Sequence, residues 1–328
     1  MTSVPFAHLP VMSNEVLDAL APRSGAVYVD ATFGAGGYAR AILDVAGCTV
    51  IAFDRDPEAC AAGAELVARY SGRLVVLHGR FGEMEARLGA RGVDRVDGIA
   101  FDLGVSSPHL DRPERGFSFR ADGPLDMRMD PGDPITAADA VNGLAEDELA
   151  RILFTFGEER AARRIARAIV EARRTAPITR TAGLADIVRR VVPRARDGID
   201  PATRTFQALR IHVNDELGEL DRGLLAAERL LAPGGRLCVV AFHSLEDRRI
   251  KSFLTARCGA SPRPSRHLPA TGAEAEPTAS FRLLRRGVVR PTPAEVVRNP
   301  RARSARLRAA ERTAAPPHPG PTEQRRAA

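Results

Sequence analysis

The 328-residue chain contains no tryptophan, three tyrosines and one lysine, Lys251, and its aromatic content is only 5%. Its four cysteines, Cys48, Cys60, Cys238 and Cys258, are scattered, with no CxxC pair and no histidine at ligand spacing. That pattern argues against a disulfide framework and against a metal site, and it suits a reducing cytoplasm. No run approaches the roughly 18–20 apolar residues that a membrane span requires. Residues 1–10 lack the basic segment and apolar core of an export signal. Membrane-embedded and exported classes are set aside on these grounds.

Arginine is abundant, and its placement is informative. Lys and Arg outnumber Asp and Glu by 48 to 41, a net charge of +7. From Phe281 onward, twelve arginines face only Glu295, Glu311 and Glu323. The excess therefore belongs to one end, and the rest of the chain is close to neutral.

Apolar runs alternate with helical patterns. Strands are expected at residues 26–30, 49–53, 74–77, 98–101 and 236–242, with helical spacing at 39–43, 57–70 and 224–231. This alternation indicates βαβ units and a parallel sheet, an α/β fold. Residues 281–284 and 288–290 are expected to pair as a hairpin across Gly287. The fourth and fifth strands are separated by a long interruption, residues 106–211, which opens with turn chemistry and becomes helical. Thr136 with Asp139 resembles a capping box. Within 158–174, Arg160, Arg163, Arg164, Arg167, Glu171 and Arg174 fall on one helical side, either a solvated face or a phosphate-facing stripe. The expected organisation is a sheet domain of 1–105 with 212–312, a helical insertion of 106–211, a Pro- and Gly-rich loop over 259–278 and a disordered tail of 313–328.

The first strand runs into Asp30-Ala31-Thr32-Phe33-Gly34-Ala35-Gly36-Gly37-Tyr38 and then a helix. A glycine turn at such a switch point is where open parallel sheets hold nucleotide-like ligands. The third glycine of GxGxxG is missing, which disfavours a nicotinamide dinucleotide. Asp54, at the end of the second strand, either accepts ribose hydroxyls or caps the helix that begins at Pro57. Phe81 follows the third strand and Asp102 ends the fourth; Phe81 suits either a purine face or the core. Three carboxylates with no nearby lysine serve a cationic, phosphate-free nucleoside better than a polyphosphate. S-adenosylmethionine is such a compound.

Longer motifs follow. They include His8-Leu9-Pro10-Val11-Met12, Phe53-Asp54-Arg55-Asp56, Glu114-Arg115-Gly116-Phe117-Ser118-Phe119 and Gly123-Pro124-Leu125-Asp126-Met127-Arg128-Met129-Asp130. Further on come Thr203-Arg204-Thr205-Phe206-Gln207-Ala208-Leu209-Arg210, Phe242-His243-Ser244-Leu245-Glu246-Asp247-Arg248 and Asn299-Pro300-Arg301-Ala302-Arg303-Ser304. In this order they resemble the RsmH (MraW) family, which methylates the exocyclic amine, N4, of one cytidine in the decoding region of 16S rRNA.

The resemblance implies a class I, Rossmann-like S-adenosylmethionine-dependent methyltransferase sheet with a helical domain inserted after the fourth strand. It places cofactor contacts at Gly36, Gly37, Asp54, Phe81, Asp102 and His109. Tyr38 stands where the family often has histidine, so a contact there would use the backbone. Asp102 is the expected partner of the acceptor amine. His243 is either an assisting group or a hydrogen-bonded structural histidine. Arg115, Arg120, Arg128, Arg160, Arg164, Arg301 and Arg303, with Arg306 and Arg308, are candidates for contacts to 16S rRNA of the small ribosomal subunit. Phe117 and Phe119 suit base stacking or core packing. Competing classes are a DNA or other RNA amino-methyltransferase, which normally shows Pro-Pro-aromatic after the fourth strand, and a non-catalytic RNA-binding protein, which has no need of Asp54, Asp102 and the glycine turn together.

Overall fold

The structure, a computed structural model, describes residues 10–193, 198, 200–259 and 278–319. Most of the expected loop (260–277), the end of the tail (320–328) and His8 of the first motif lie outside the described residues.

Seven strands form one sheet: β1 (Val27–Asp30), β2 (Thr49–Asp54), β3 (Leu74–His78), β4 (Val96–Asp102), β5 (Leu231–Ala241), β6 (Phe281–Leu283) and β7 (Arg306–Arg312). Their order is β3-β2-β1-β4-β5-β7-β6. The pairs among β1 to β5 are parallel, and β7 runs antiparallel to both β5 and β6. The chain leaves β1 toward β2 on one side and enters β4 on the other, which makes the β1–β4 boundary the topological switch point.

Fourteen helices accompany the strands among the described residues. Before the interruption come α1 (Ser13–Leu20), α2 (Gly37–Val45), α3 (Pro57–Ala62), α4 (Ala64–Arg69) and α5 (Met84–Gly89). The interruption carries α6 (Ser107–Asp111), α7 (Ala137–Gly143), α8 (Glu146–Gly157), α9 (Ala162–Thr175), α10 (Thr181–Val191) and α11 (Ala202–Asn214). After it come α12 (Glu216–Leu230), α13 (Ser244–Arg257) and α14 (Pro293–Arg298).

The strands read as continuous apolar runs because both faces are covered. Val29, Ile51, Phe53, Ile99, Phe101, Leu237 and Val239 feed one core with Leu220, Leu224 and Leu230 of α12 and Ile250 of α13. Their neighbours Tyr28, Val50, Ala52, Ala100, Cys238 and Val240 feed the other, with Val16 and Leu20 of α1 and Ala39, Ile42 and Leu43 of α2. A third core, separate in sequence, gathers Leu125, Met127, Leu149, Ile152, Ile165, Ile169, Leu184, Val188 and Leu209. Accordingly the chain divides into two compact units, one running to Gly104 and resuming at Glu219, the other Val105–Gly218. The second junction falls inside α12, later than the sequence pattern placed it.

Four expectations need correction. The hairpin across Gly287 does not form: β6 pairs with β7, and Val289 meets Leu307 in a single bridge. The helix expected over 57–70 breaks at Gly63, where a Cβ would stand 2.6 Å from the Phe33 ring. The arginine-rich helix begins at Ala162, because α8 ends at Gly157 with Glu158 in a left-handed conformation (φ 50°). Arg160 therefore lies in a connection. The start of the expected tail is also tied down: Thr313 N–H donates to the Ser280 carbonyl at 2.9 Å, and His318 N–H to Glu228 Oε1 at 3.1 Å.

Candidate active site at the switch point

Asp30 ends β1 fully buried, and its carboxylate accepts the N–H groups of Thr32 (3.2 Å) and Ala39 (3.0 Å). It thereby closes the glycine turn onto the first turn of α2. Burial pushes the Asp30 carboxyl up to about 7, with the Asp54 charge adding to the rise. Gly34 and Gly36 take positive φ (53° and 74°), which a side chain resists. A Cβ on Gly36 would also lie 2.6 Å from Leu66, and one on Gly37 would lie 2.8 Å from Pro10.

The turn is strapped across the strand ends. Phe33 N–H donates to the Phe53 carbonyl at 2.8 Å, and Ala31 N–H to the Ala100 carbonyl at 2.9 Å. Asp54 accepts Gly34 N–H on Oδ2 (2.7 Å) and Asp56 N–H on Oδ1 (2.8 Å). The cap of α3 is Asp56, which accepts Glu58 N–H at 2.9 Å, so the capping alternative for Asp54 is excluded. A carboxylate oxygen can accept more than one hydrogen bond. Gly79 N–H reaches the Asp54 carbonyl at 2.8 Å, which brings the loop carrying Phe81 to the same rim. The Phe81 ring is half-buried, edge-on to Phe101 at 5.3 Å, and packs on the core under α12.

Tyr38 is buried, and its hydroxyl donates to the Val11 carbonyl at 2.6 Å. Burial, reinforced by the carboxylates of Asp102 and Asp30, raises that phenol well above its ordinary value. Its side chain is thus committed to the fold, and only its backbone faces the turn's business.

Asp102 ends β4 at the other side of the switch point. Its N–H donates to Thr32 Oγ1 at 2.7 Å. Its Oδ1 is buried without a hydrogen-bond partner among the described residues. Burial drives the carboxyl well above the usual range, and Asp30, Glu246 and Glu295 push it further. A buried acceptor left unmatched costs about 1–3 kcal/mol, more if charged, so this atom fits a donor-bearing, cationic ligand.

His243 follows β5 and caps α13: Nδ1 accepts Glu246 N–H (3.4 Å), while Glu246 Oε2 accepts the N–H groups of Phe242 (2.8 Å) and His243 (3.2 Å). Thr32 and Glu246 are two supporting groups that the sequence reading did not single out. A glutamate three residues after His243 was the available signal for the second, with histidine in the place of the usual Ser or Thr. Asp30, Asp54, Phe81, Asp102 and His243 thus all stand at the carboxyl ends of the strands.

In the unit Val105–Gly218, His109 is buried, stacks on Phe117 (4.8 Å between centroids) and meets Ser106 Oγ through Nδ1 at 3.1 Å. Phe119 is edge-on to Phe206, so both phenylalanines of that motif pack within their own unit. Arg115 is buried and donates to the carbonyls of Arg128 (3.2 Å) and Met129 (2.8 Å). Arg128 grips both oxygens of Asp126 at 2.8 Å. Arg120, Arg160 and Arg164 are all exposed, and Arg164 donates to the Val191 carbonyl at 2.8 Å. In the other unit Arg301 and Arg303 are exposed, while Arg306 and Arg308 lie on β7 and pair with Asp247.

Residues 5–313 match the MraW methylase family. The chain belongs to that family. Relatives include "Ribosomal RNA small subunit methyltransferase H" of Rhodospirillum centenum, 66% identical over 312 residues covering 95% of this chain and 94% of that protein. The protein of the same name from Paramagnetospirillum magneticum is 62% identical over 312 residues, covering 95% and 98%. Membership in a methylase family means that a methyl donor and a methyl acceptor must meet on this protein. The carboxylate-lined turn fits S-adenosylmethionine, a cation without phosphate.

Proposed function

We propose that this protein transfers a methyl group from S-adenosylmethionine to the exocyclic N4 amine of a cytidine in the decoding region of small-subunit 16S rRNA, acting in the cytoplasm. The observation that carries the reading is the buried, unmatched Asp102 carboxylate oxygen beside the glycine turn. The relatives' shared name supports the choice of RNA. S-adenosylmethionine supplies an electrophilic methyl group on a sulfonium.

The glycine turn allows close backbone approach at the start of α2, and Asp54 stands at the end of β2, where a carboxylate suits ribose hydroxyls. A cytosine amine is a weak nucleophile because its lone pair is delocalised into the ring. Asp102, accepting an amine hydrogen, keeps the remaining lone pair aimed at the methyl carbon; such orientation is a large source of rate. The acceptor nitrogen gains the methyl group and loses one proton to water, so no strong base is required. Exposed arginines, Arg120 and Arg160 in one unit and Arg301 and Arg303 in the other, supply phosphate contacts, and the target base leaves its stack to react.

The test uses small subunits from cells lacking this protein, deproteinised 16S rRNA and DNA, each incubated with methyl-labelled S-adenosylmethionine. Mass mapping should place one methyl on cytidine N4 in the decoding region. Label on DNA, on another nucleotide, or on none of the three would overturn the reading.

A further inference from the structure

Two buried polar atoms at neighbouring strand ends lack a hydrogen-bond partner among the described residues: Asp102 Oδ1 and His243 Nε2. The topology places them on adjacent strand ends. β4 and β5 pair in parallel with Asp102 beside Val240, and Leu103 N–H donates to the Val240 carbonyl at 3.0 Å. His243 comes three residues after Val240. The loops that follow the two strands touch, since a Cβ on Gly104 would lie 3.5 Å from the Phe242 ring.

The imidazole is held in one tautomer. Nδ1 accepts the Glu246 N–H at 3.4 Å, so the neutral ring carries its proton on Nε2. Nε2 lies 3.1 Å from Glu246 Oε1 but without the alignment that an N–H···O bond needs. The result is an unmatched donor on the loop after β5 and an unmatched acceptor at the end of the adjacent β4. The pairing edge of cytosine shows the complementary pattern, an amine donor at N4 beside a ring acceptor at N3. Uracil inverts both groups, with a carbonyl beside a ring N–H.

Resting on the cytidine reading above, we propose that His243 donates from Nε2 to the ring N3 of the target base while Asp102 accepts from the adjacent amine. His243 is then a base-selecting donor and not a proton acceptor. A ring already accepting a hydrogen bond at Nδ1 and protonated at Nε2 has no lone pair to offer the amine. A base with the inverted edge is rejected because both groups face their like.

Two substitutions separate this role from the helix cap. Asn imitates the Nδ1 side of histidine and is a strong N-cap, whereas Gln reaches the Nε2 position with an N–H donor and caps poorly. His243→Asn should melt near the wild type and bind S-adenosylmethionine normally. Its kcat/KM on small subunits should nevertheless fall about tenfold to a hundredfold, the range for a buried group left without its partner. His243→Gln should melt lower yet exceed His243→Asn in kcat/KM by about tenfold, the value of one well-made hydrogen bond. The opposite ranking would assign His243 to the cap alone, and equal loss in both would assign it to proton transfer; either overturns the proposal. If the wild type methylates cytidine while the ranking fails, only this inference falls. If the wild type marks a different base, the functional reading falls with it.

Discussion

The Asp102 N–H donates to Thr32 Oγ1 at 2.7 Å, so the end of β4 is pinned to the turn that leaves β1. These are the two sides of the switch point, and the hydroxyl adds a side-chain strap to the Ala31–Ala100 backbone bond between them. Thr32→Val keeps the shape but leaves the Asp102 N–H unmatched, which costs about 1–3 kcal/mol. We expect Thr32→Val to weaken S-adenosylmethionine binding about tenfold by calorimetry, and Thr32→Ser to restore most of the loss. Equal affinity in the wild type and the valine variant would show that the strap is irrelevant to the site.

On the proposed function, Asp102 serves the reaction at the expense of stability. Its carboxyl is held well above the usual range by burial and by three neighbouring acids, so the unliganded protein tolerates it poorly. Asp102→Asn removes that strain while retaining the size. The expected outcome is a higher melting temperature, by about 1.5 °C for each kcal/mol gained in a chain of 328 residues, together with a loss of turnover of at least about a hundredfold. A variant that melts lower and still turns over at the wild-type rate would contradict both halves.

Asp30 makes a signed pH prediction. Its carboxyl is pushed up to about 7 in the fold, against 3.8 without it. Between those values the folded state holds a proton that the unfolded state has released. Stability from this residue is therefore greatest below about pH 4, declines as pH rises toward about 7 and is level above that. Asp30→Asn, with one N–H acceptor fewer, should melt lower at pH 4 and show a flatter dependence of melting temperature between pH 4 and 7. A difference in melting temperature between the wild type and Asp30→Asn that grows as pH rises across that window would reverse the assigned sign.

The sheet was legible to the extent that burial on both faces writes itself as apolar runs. Val27–Asp30, Thr49–Asp54 and Val96–Asp102 show it plainly, and the glycine turn and its acids follow from the strand ends. β7 was not legible, because Arg306, Arg308, Glu311 and Arg312 make it read as a charged tail. The fold resolves those charges by long-range pairing: Arg306 and Arg308 with Asp247, Glu311 with Arg282, and Arg312 with the carbonyls of Glu228 and Ser280. No local pattern announces partners 29 to 84 residues away along the chain. The same holds for Arg115 and Arg128, whose charge suggested phosphate but whose guanidinium groups hold backbone carbonyls and Asp126.

Those two arginines give the last contrast. Arg115→Ala leaves the carbonyls of Arg128 and Met129 without their donor in a buried position, a loss of about 1–3 kcal/mol. It should lower the melting temperature of the unit Val105–Gly218, followed by protease resistance of that segment. Arg120→Ala and Arg160→Ala, at exposed positions, should leave melting unchanged and weaken binding to small subunits. Each should also reduce the slope of log affinity against log salt by about one. If Arg115→Ala lowers the salt slope without touching stability, its guanidinium contacts RNA and its hydrogen bonds to the chain are secondary.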